Sequence, residues 1–168
     1  PATLADVRAH GPAVTGLIAA FAVFMGLRSG SRGGPLALER PDVRHVLLAP
    51  VDRAVALRGP AWRQLRFLVA VGAAVGATAG QLALRRLPGN PAEWMIVGAA
   101  FGVVVVVLGF GSALVACGLK LPSWTATLVG GVLVAWSGAD AFDTRGRVPT
   151  APASIAGRLA LWPLRTDP

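Results

Sequence analysis

The chain has few charged residues and a single cysteine, and both shortages narrow its class. Charged side chains make up 14% of its 168 residues, whereas soluble domains carry about a quarter. Hydrophobic residues make up 54% and gather in long uncharged runs, which is typical of a multi-pass membrane protein. Cys117 alone can form neither an intrachain disulfide nor a cysteine-based metal cluster.

Acidic residues are also scarce, with 8 Asp and Glu against 16 Lys and Arg, for a formal net charge of +8. In a soluble protein this excess would indicate a nucleic-acid partner. Here the arginines flank apolar runs, as they do at cytoplasmic membrane borders, so we expect no nucleic-acid partner. We expect anionic lipids instead, which attract each arginine near the surface by about 1 kcal/mol.

Motifs for nucleotide binding and catalysis are missing as well. No G-x-x-x-x-G-K-[ST] loop occurs, so the chain has no ATP site of the P-loop kind. Asp140 and Asp143 are spaced to share a helix face, but no nearby acid completes a cation site, and a solvated helix end is the favoured interpretation. Ser112 has no histidine in a span to act as its base, so we interpret it as a packing residue. We predict no catalytic residue, metal or cofactor in this chain.

Four apolar segments predict membrane helices, because a helix satisfies its backbone hydrogen bonds internally in lipid. The predicted spans are residues 12–27, 67–84, 94–119 and 123–139. The first is short for a hydrocarbon core of about 30 Å, so we expect its helix to begin near Leu4 and to bend at Pro12. The sequence therefore predicts an all-α membrane protein, with one transmembrane domain over residues 1–168.

The basic residues predict the topology. The loop over residues 28–66 contains 8 arginines, whereas Arg85 and Arg86 alone follow the second span. The larger cluster is expected in the cytoplasm, so the first and third spans run inward. The tail over residues 140–168 then becomes an interfacial or extracellular segment. Its arginines oppose that placement, unless the tail is re-entrant or precedes another span.

Tryptophans near the predicted span ends indicate an aromatic belt at the membrane borders. These residues are Trp62, Trp94, Trp124 and Trp136. None of the five tryptophans lies in the middle of a predicted span, which supports the predicted boundaries.

The second span combines small and polar residues. Gly72, Gly76 and Gly80 recur every four residues, and such a face lets two helices approach closely in lipid. Thr78 and Gln81 are the polar pair of this span. Because polar groups are costly in lipid, we expect both to face protein or water, as interhelical hydrogen-bonding groups or along a candidate substrate path.

A short amphipathic stretch lies in the basic loop and begins at Pro50, a residue type that suits the first turn of a helix. Asp52 and Arg53 lie outside its apolar arc. We predict a helix on the cytoplasmic surface between the first and second spans. Gly59 and Pro60 are expected to end it and to start the next helix.

The segment HVLLAPVDRAVALRGPAWRQLR, from His45 to Arg66, resembles the cytoplasmic loop of type-2 ABC exporter permeases. The preceding GGPLALERPDVRHVLL is similar to actinobacterial members of that family. There, a short coupling helix docks in a groove of the ATP-binding subunit. By this resemblance, the coupling interface consists of Pro50, Val51, Asp52, Arg53, Leu57 and Arg58.

The resemblance implies a transport subunit of the bacterial cytoplasmic (inner) membrane. Its partners would be an ATP-binding-cassette ATPase, which binds ATP and Mg, and a second permease copy or half. Two features depart from the family pattern. Pro60 stands where a lysine is common, and four spans are predicted where six are typical. When the four predicted spans are matched in order to the six of the family, they correspond to the second to fifth. We therefore expect this chain to be a piece of a longer one.

Two alternatives use the same residues differently. The chain is compatible with a non-catalytic structural subunit, whose basic loop anchors a larger membrane complex to anionic lipids. A membrane-embedded enzyme that modifies lipids is the less favoured alternative, because the chain has few acidic residues. Association with an ATPase separates the exporter from both.

Cysteine labelling tests the topology. In a Cys117→Ala background, Ser31→Cys is expected to resist a membrane-impermeant maleimide added outside, because the basic loop faces the cytoplasm. Asn90→Cys is expected to react. Permeabilised membranes are the control and should make Ser31→Cys reactive. Ready outside labelling at position 31 with none at position 90 would contradict the predicted orientation.

Overall fold

Four long helices and one short helix form the described protein. The computed structural model describes residues 4–32, 53–85, 89–142 and 151–161. The helices are α1 (Leu4–Gly30), α2 (Arg53–Leu84), α3 (Pro91–Gly118), α4 (Ser123–Phe142) and α5 (Ser154–Ala160). No strand occurs within those four ranges.

The first four helices are long and apolar enough to cross a membrane. Their candidate spans are His10–Gly30, Arg58–Leu84, Pro91–Gly118 and Ser123–Phe142. The prediction of an all-helical chain with four such helices is therefore confirmed. The predicted start of the first helix near Leu4 is confirmed as well.

The long helices lie side by side in the order α2, α3, α1, α4. Helix α1 packs on both α3 and α4, whereas α2 packs chiefly on α3. Gly26 and Gly30 of α1 lie against Gly109 and Ala113 of α3, in the same order along both helices, so α1 and α3 are parallel. Helices α2 and α4 run in the opposite direction, because Gly72, Gly76 and Gly80 of α2 meet α3 in reversed order and Gly130 and Gly138 of α4 meet Phe24 and Leu17 of α1 in reversed order.

Glycines at four-residue spacing bring α2 and α3 into backbone contact. Gly76 illustrates the fit: a Cβ there would lie 2.8 Å from the carbonyl carbon of Gly98 and 3.1 Å from the Cα of Gly102. Those distances leave no room for a side chain. Three pairs make up this seam: Gly72 with Gly102, Gly76 with Gly98, and Gly80 with Trp94. The glycine face predicted from sequence thus lies against α3.

A second close seam joins α1 to α3. A Cβ on Gly26 would meet the carbonyl of Gly109 and the hydroxyl of Ser112. The Ser112 hydroxyl lies 3.2 Å from the Val23 carbonyl oxygen of α1 and 2.9 Å from the Gly109 carbonyl oxygen of its own helix. Ser112 therefore links the two helices, as expected of a packing residue.

Helix α2 continues through Gly59 and Pro60, so the predicted break between a surface helix and the second span is wrong. Proline has no N–H, so Pro60 cannot form the helical hydrogen bond to the carbonyl of Ala56. Membrane helices tolerate such a loss because neighbouring groups and local adjustments satisfy the freed carbonyl. Gly59 and Pro60, which would mark a turn in a soluble protein, therefore lie inside a continuous helix.

Trp94 departs from the predicted aromatic belt. Its side chain is only 3% exposed, whereas Trp62, Trp124 and Trp136 expose between 48% and 65%. The turn at Gly89 has φ +134°, and a Cβ there would lie 2.7 Å from the indole nitrogen of Trp94. Trp94 therefore packs beneath the α2–α3 turn, because glycine lets the backbone approach the ring.

Gly76→Leu is expected to separate α2 from α3, because a large side chain cannot fit between the two backbones. We expect the free energy of unfolding to fall by about 3 kcal/mol. The loss should appear as a lower midpoint temperature of thermal aggregation in detergent. Gly111→Leu is the matched control, since nothing lies within 4 Å of a Cβ at Gly111. Equal stability of both variants would show that the α2 glycine face does not hold the helices together.

Candidate functional site

Basic side chains collect at one end of the helix row, called the basic end from here on. Six of the described basic side chains lie there, namely Arg28, Arg32, Arg58, Arg63, Arg66 and Lys120, whereas Arg85 and Arg158 lie away from it. The acidic side chains of Glu93 and Asp140 lie at the opposite end. An excess of arginine at one end of a set of spans is expected of a cytoplasmic face.

Helix α2 is longer than a membrane requires, and its excess length lies at the basic end. Its 32 residues extend about 48 Å, against about 30 Å for a hydrocarbon core. Arg58, Gly59 and Pro60 are all exposed. A Cβ on Gly59 would meet nothing within 4 Å. Residues 53–57 precede the candidate span, which begins at Arg58, so the first turn of α2 projects beyond that span.

The predicted coupling interface falls only partly on described residues. Pro50, Val51 and Asp52 lie outside them. Arg53 is the first residue of α2 and Leu57 lies one turn further on, so both belong to the projecting part of the helix. Arg53 and Leu57 therefore belong to the same helix as the second span.

A groove separates α2 from α3 at the basic end. It has a volume of about 570 Å³. Its lining residues are Arg58, Gly59, Ala61, Trp62 and Leu65 of α2, with Phe110 and Leu114 of α3. Large side chains, Trp62 and Leu65 of α2 with Phe110 and Leu114 of α3, form much of the wall here, in contrast to the glycine seam. Arg58 is the charged residue of an otherwise apolar wall.

Trp62 is held in place beside this groove. The guanidinium carbon of Arg66 lies 5.2 Å from the centre of the Trp62 ring, within the range of a cation–π interaction. Both side chains are exposed, so the stabilisation is expected at the lower end, about 0.5–1 kcal/mol. The pair orients the indole at the border where the second span meets the projecting turns.

The polar pair of α2 separates into two roles. The Gln81 side chain donates a hydrogen bond to the Pro91 carbonyl of α3 at 3.3 Å, which links the two helices near their turn. The Thr78 hydroxyl donates to the Val75 carbonyl of its own helix at 2.8 Å, and its side chain is exposed. Thr78 therefore lies on a face of α2 that the described helices leave uncovered.

The tail returns to the helix row. The backbone N–H of Ala151 donates to Oδ2 of Asp140 at 2.5 Å, and Ala151 and Ser154 are buried. A Cβ on Gly16 would lie 2.8 Å from the Cα of Ser154. The described part of the tail thus packs on α1. The interpretation of Asp140 as a solvated helix end is wrong; Asp143 lies outside the described residues.

An apolar cavity shows how far the tail reaches. It has a volume of about 430 Å³, and Pro152 and Ile155 form part of its wall. Val23 of α1 and Val104 of α3 line the same cavity, and Val104 lies near the middle of its helix. The segment over residues 151–156 therefore reaches towards the centre of the spans.

Several packing residues were missed in the sequence analysis although the same rule identifies them. Gly98 and Gly102 of α3, and Gly26 and Gly30 of α1, repeat the four-residue spacing of α2. The Ser137 hydroxyl is different in kind. It is 1% exposed and has no hydrogen-bond partner among the described residues, and nothing in the local sequence distinguishes it from an exposed helical serine.

The described residues contain no group of three His, Cys, Asp or Glu side chains placed to hold a metal ion. No family model matches the chain, and no curated protein or solved structure matches it either. The candidate site is therefore defined by geometry and charge: the basic end, the projecting turns of α2, and the groove between α2 and α3.

Asp140→Ala is expected to release the tail from α1, because the substitution removes a charged hydrogen-bond acceptor. In a Cys117→Ala background, Ser154→Cys is buried and should react slowly with a maleimide. Adding Asp140→Ala is expected to raise that rate about tenfold, from the 1.5–3 kcal/mol typical of such a bond. The exposed Ile155→Cys is the control and should react equally in both backgrounds. An unchanged rate at position 154 would show that other contacts hold the tail.

Proposed function

We propose that the chain is a permease subunit of an ATP-driven exporter in the bacterial cytoplasmic membrane. In this proposal a separate ATP-binding-cassette subunit binds ATP and Mg, and its movements are passed to the spans. The observation that carries the proposal is the continuity of α2. One helix runs from the exposed turns at the basic end to the glycine seam with α3.

A continuous helix supports coupling for a mechanical reason. A partner that displaces the projecting turns of α2 acts on the same helix that forms the α2–α3 seam, with no loop between them. The groove beside Trp62 and Leu65 provides space into which those turns can move. Pro60 removes one helical hydrogen bond near this border, which lowers resistance to bending where movement would have to occur.

The interface proposed for the ATPase begins at Pro50 and ends at Arg58. Asp52 and Arg53 would carry its specificity, since rim charges set register and partner choice. Val51 and Leu57 would supply apolar contact. Arg58 is the member whose exposure supports this use directly.

A second permease copy or half follows from the shape of the row. Four helices side by side form one layer, which encloses no path across the membrane. Thr78 is exposed on α2, an outer helix of the row. A second layer or copy packed there would place Thr78 along the path between the two units, with Gln81 at its border.

A non-catalytic anchoring subunit is the second candidate, because the arginines of the basic end also suit anionic lipid headgroups. The two candidates make different predictions about the order of positive and negative charges along α2. Lipid attraction depends on total charge, whereas docking on a protein depends on where each sign lies.

Reversal of one charge pair separates the candidates. Asp52→Arg with Arg53→Asp keeps the net charge of +8, so lipid attraction is roughly preserved. We expect at least tenfold weaker retention of an ATP-binding subunit in pull-downs from native membranes, with loss of transport and normal membrane insertion. The ATP-binding subunit is identified by mass spectrometry of the material retained by the wild-type chain.

The matched control reverses a pair at the opposite end of the row, Arg85→Glu with Glu93→Arg, and is expected to retain the ATPase. Full retention by the Asp52 and Arg53 variant would count against docking at these residues. Purification of the wild-type chain without any ATP-binding subunit would count against the exporter itself.

A further inference from the structure

We propose that the junction of α1 and α4 at the basic end binds the phosphate of an anionic phospholipid headgroup. A pocket of about 450 Å³ opens there. It is lined by Arg28, Arg32, Ser123, Trp124, Thr127 and Leu128. This site is independent of any exporter function, since it lies away from the projecting turns of α2.

The two arginines are placed to act together. Arg28 lies in the last turn of α1 and Arg32 in the turn that follows, and both line the same pocket. Their guanidinium groups are permanently charged and planar, with N–H donors that match phosphate oxygens in pairs. Arg28 is half-buried and Arg32 is exposed, which provides one inner and one outer contact for a single phosphate.

The first turn of α4 completes the pocket from the other side. Helix α4 begins at Ser123, where the helix dipole favours negative charge. The N–H groups of Thr125 and Ala126 donate to the Pro122 carbonyl, so the first-turn donors that could meet a ligand are the N–H groups of Ser123 and Trp124. Ser123 adds its hydroxyl group to the pocket wall, whereas the Thr127 hydroxyl donates to the Ser123 carbonyl of its own helix at 2.8 Å. The acidic side chains that the structure describes are at the opposite end of the row, so none of them competes for these arginines.

The position of the pocket identifies a lipid as the source of the phosphate. The candidate spans His10–Gly30 and Ser123–Phe142 both terminate at it, so it lies at the border of the hydrocarbon core. The Trp124 side chain is 65% exposed beside it, as expected for a tryptophan among lipid headgroups. Leu128 lies one turn deeper and is 57% exposed, which offers apolar surface to the start of an acyl chain.

Native mass spectrometry in detergent tests the site with phosphatidylglycerol, with phosphatidylcholine as the zwitterionic reference. The wild-type chain is expected to retain phosphatidylglycerol about tenfold more strongly than phosphatidylcholine. Arg28→Gln with Arg32→Gln is expected to abolish that preference. The single variant Arg32→Gln lies beyond the last residue of α1, so it tests the site without affecting the helix, and it should reduce the preference severalfold.

The matched control is Arg63→Gln with Arg66→Gln. It removes the same two charges from the basic end, and both residues are exposed on α2, outside the pocket. We expect it to keep most of the preference. Equal losses in the two double variants would overturn the proposal, because they would show diffuse attraction to the whole basic end.

A second arm separates a lipid from a free anion. Glycerol 3-phosphate carries a comparable phosphate without acyl chains, and we expect millimolar concentrations to leave phosphatidylglycerol bound. If glycerol 3-phosphate displaced phosphatidylglycerol at these concentrations, the assignment to a lipid headgroup would be overturned, and the result would indicate a soluble phosphate ligand. Arg28→Lys with Arg32→Lys keeps the charge but loses the paired N–H donors, and should retain less lipid than the wild type.

Discussion

The fold depends on the close approach of helix backbones at small residues. Of the ten buried hydrophobic residues in the described protein, eight are alanines, and the exceptions are Trp94 and Phe110. Lipid tails are as apolar as leucine, so apolar side chains gain little by leaving lipid for a helix interface. Helix association then rests on dispersion contacts, which require the backbones to come close. The seams at Gly76 and Gly26 provide that approach, and each has carbonyl groups where a side chain would otherwise lie.

A row of helices held in this way is incomplete as a membrane unit. Helix α1 has neighbours on two sides, whereas α2 and α4 each have one main partner in the row. The short helix α5 packs mainly on α1 and to a smaller extent on α3. Large apolar side chains such as Val75 of α2 and Val132 of α4 remain more than half exposed. In a bilayer these faces meet either lipid or further protein, and a transport path requires further protein.

The spans were predictable because hydropathy and internal hydrogen bonding act locally along the chain, and the glycine face of α2 was predictable for the same reason. The partner of that face was not, because pairing depends on which helix lies beside it. Asp140 shows the same limit, since its hydrogen bond to Ala151 forms only after the chain reverses. Gly59 and Pro60 misled for another reason: they form a turn signal in water, but helix α2 continues through them.

That continuity also sets where α2 can deform. A proline inside a helix is unfavourable by about 3 kcal/mol relative to alanine, mainly through the lost hydrogen bond and the crowding of the preceding turn. On one side of Pro60, Arg58 and Gly59 are exposed, and on the other the glycine seam fixes α2 against α3. Bending is therefore easiest between them, beside the groove that Trp62 lines. Under the proposed coupling, a force on the exposed turns would narrow or widen this groove before it separated the seam, so movement at the basic end need not unpack the spans.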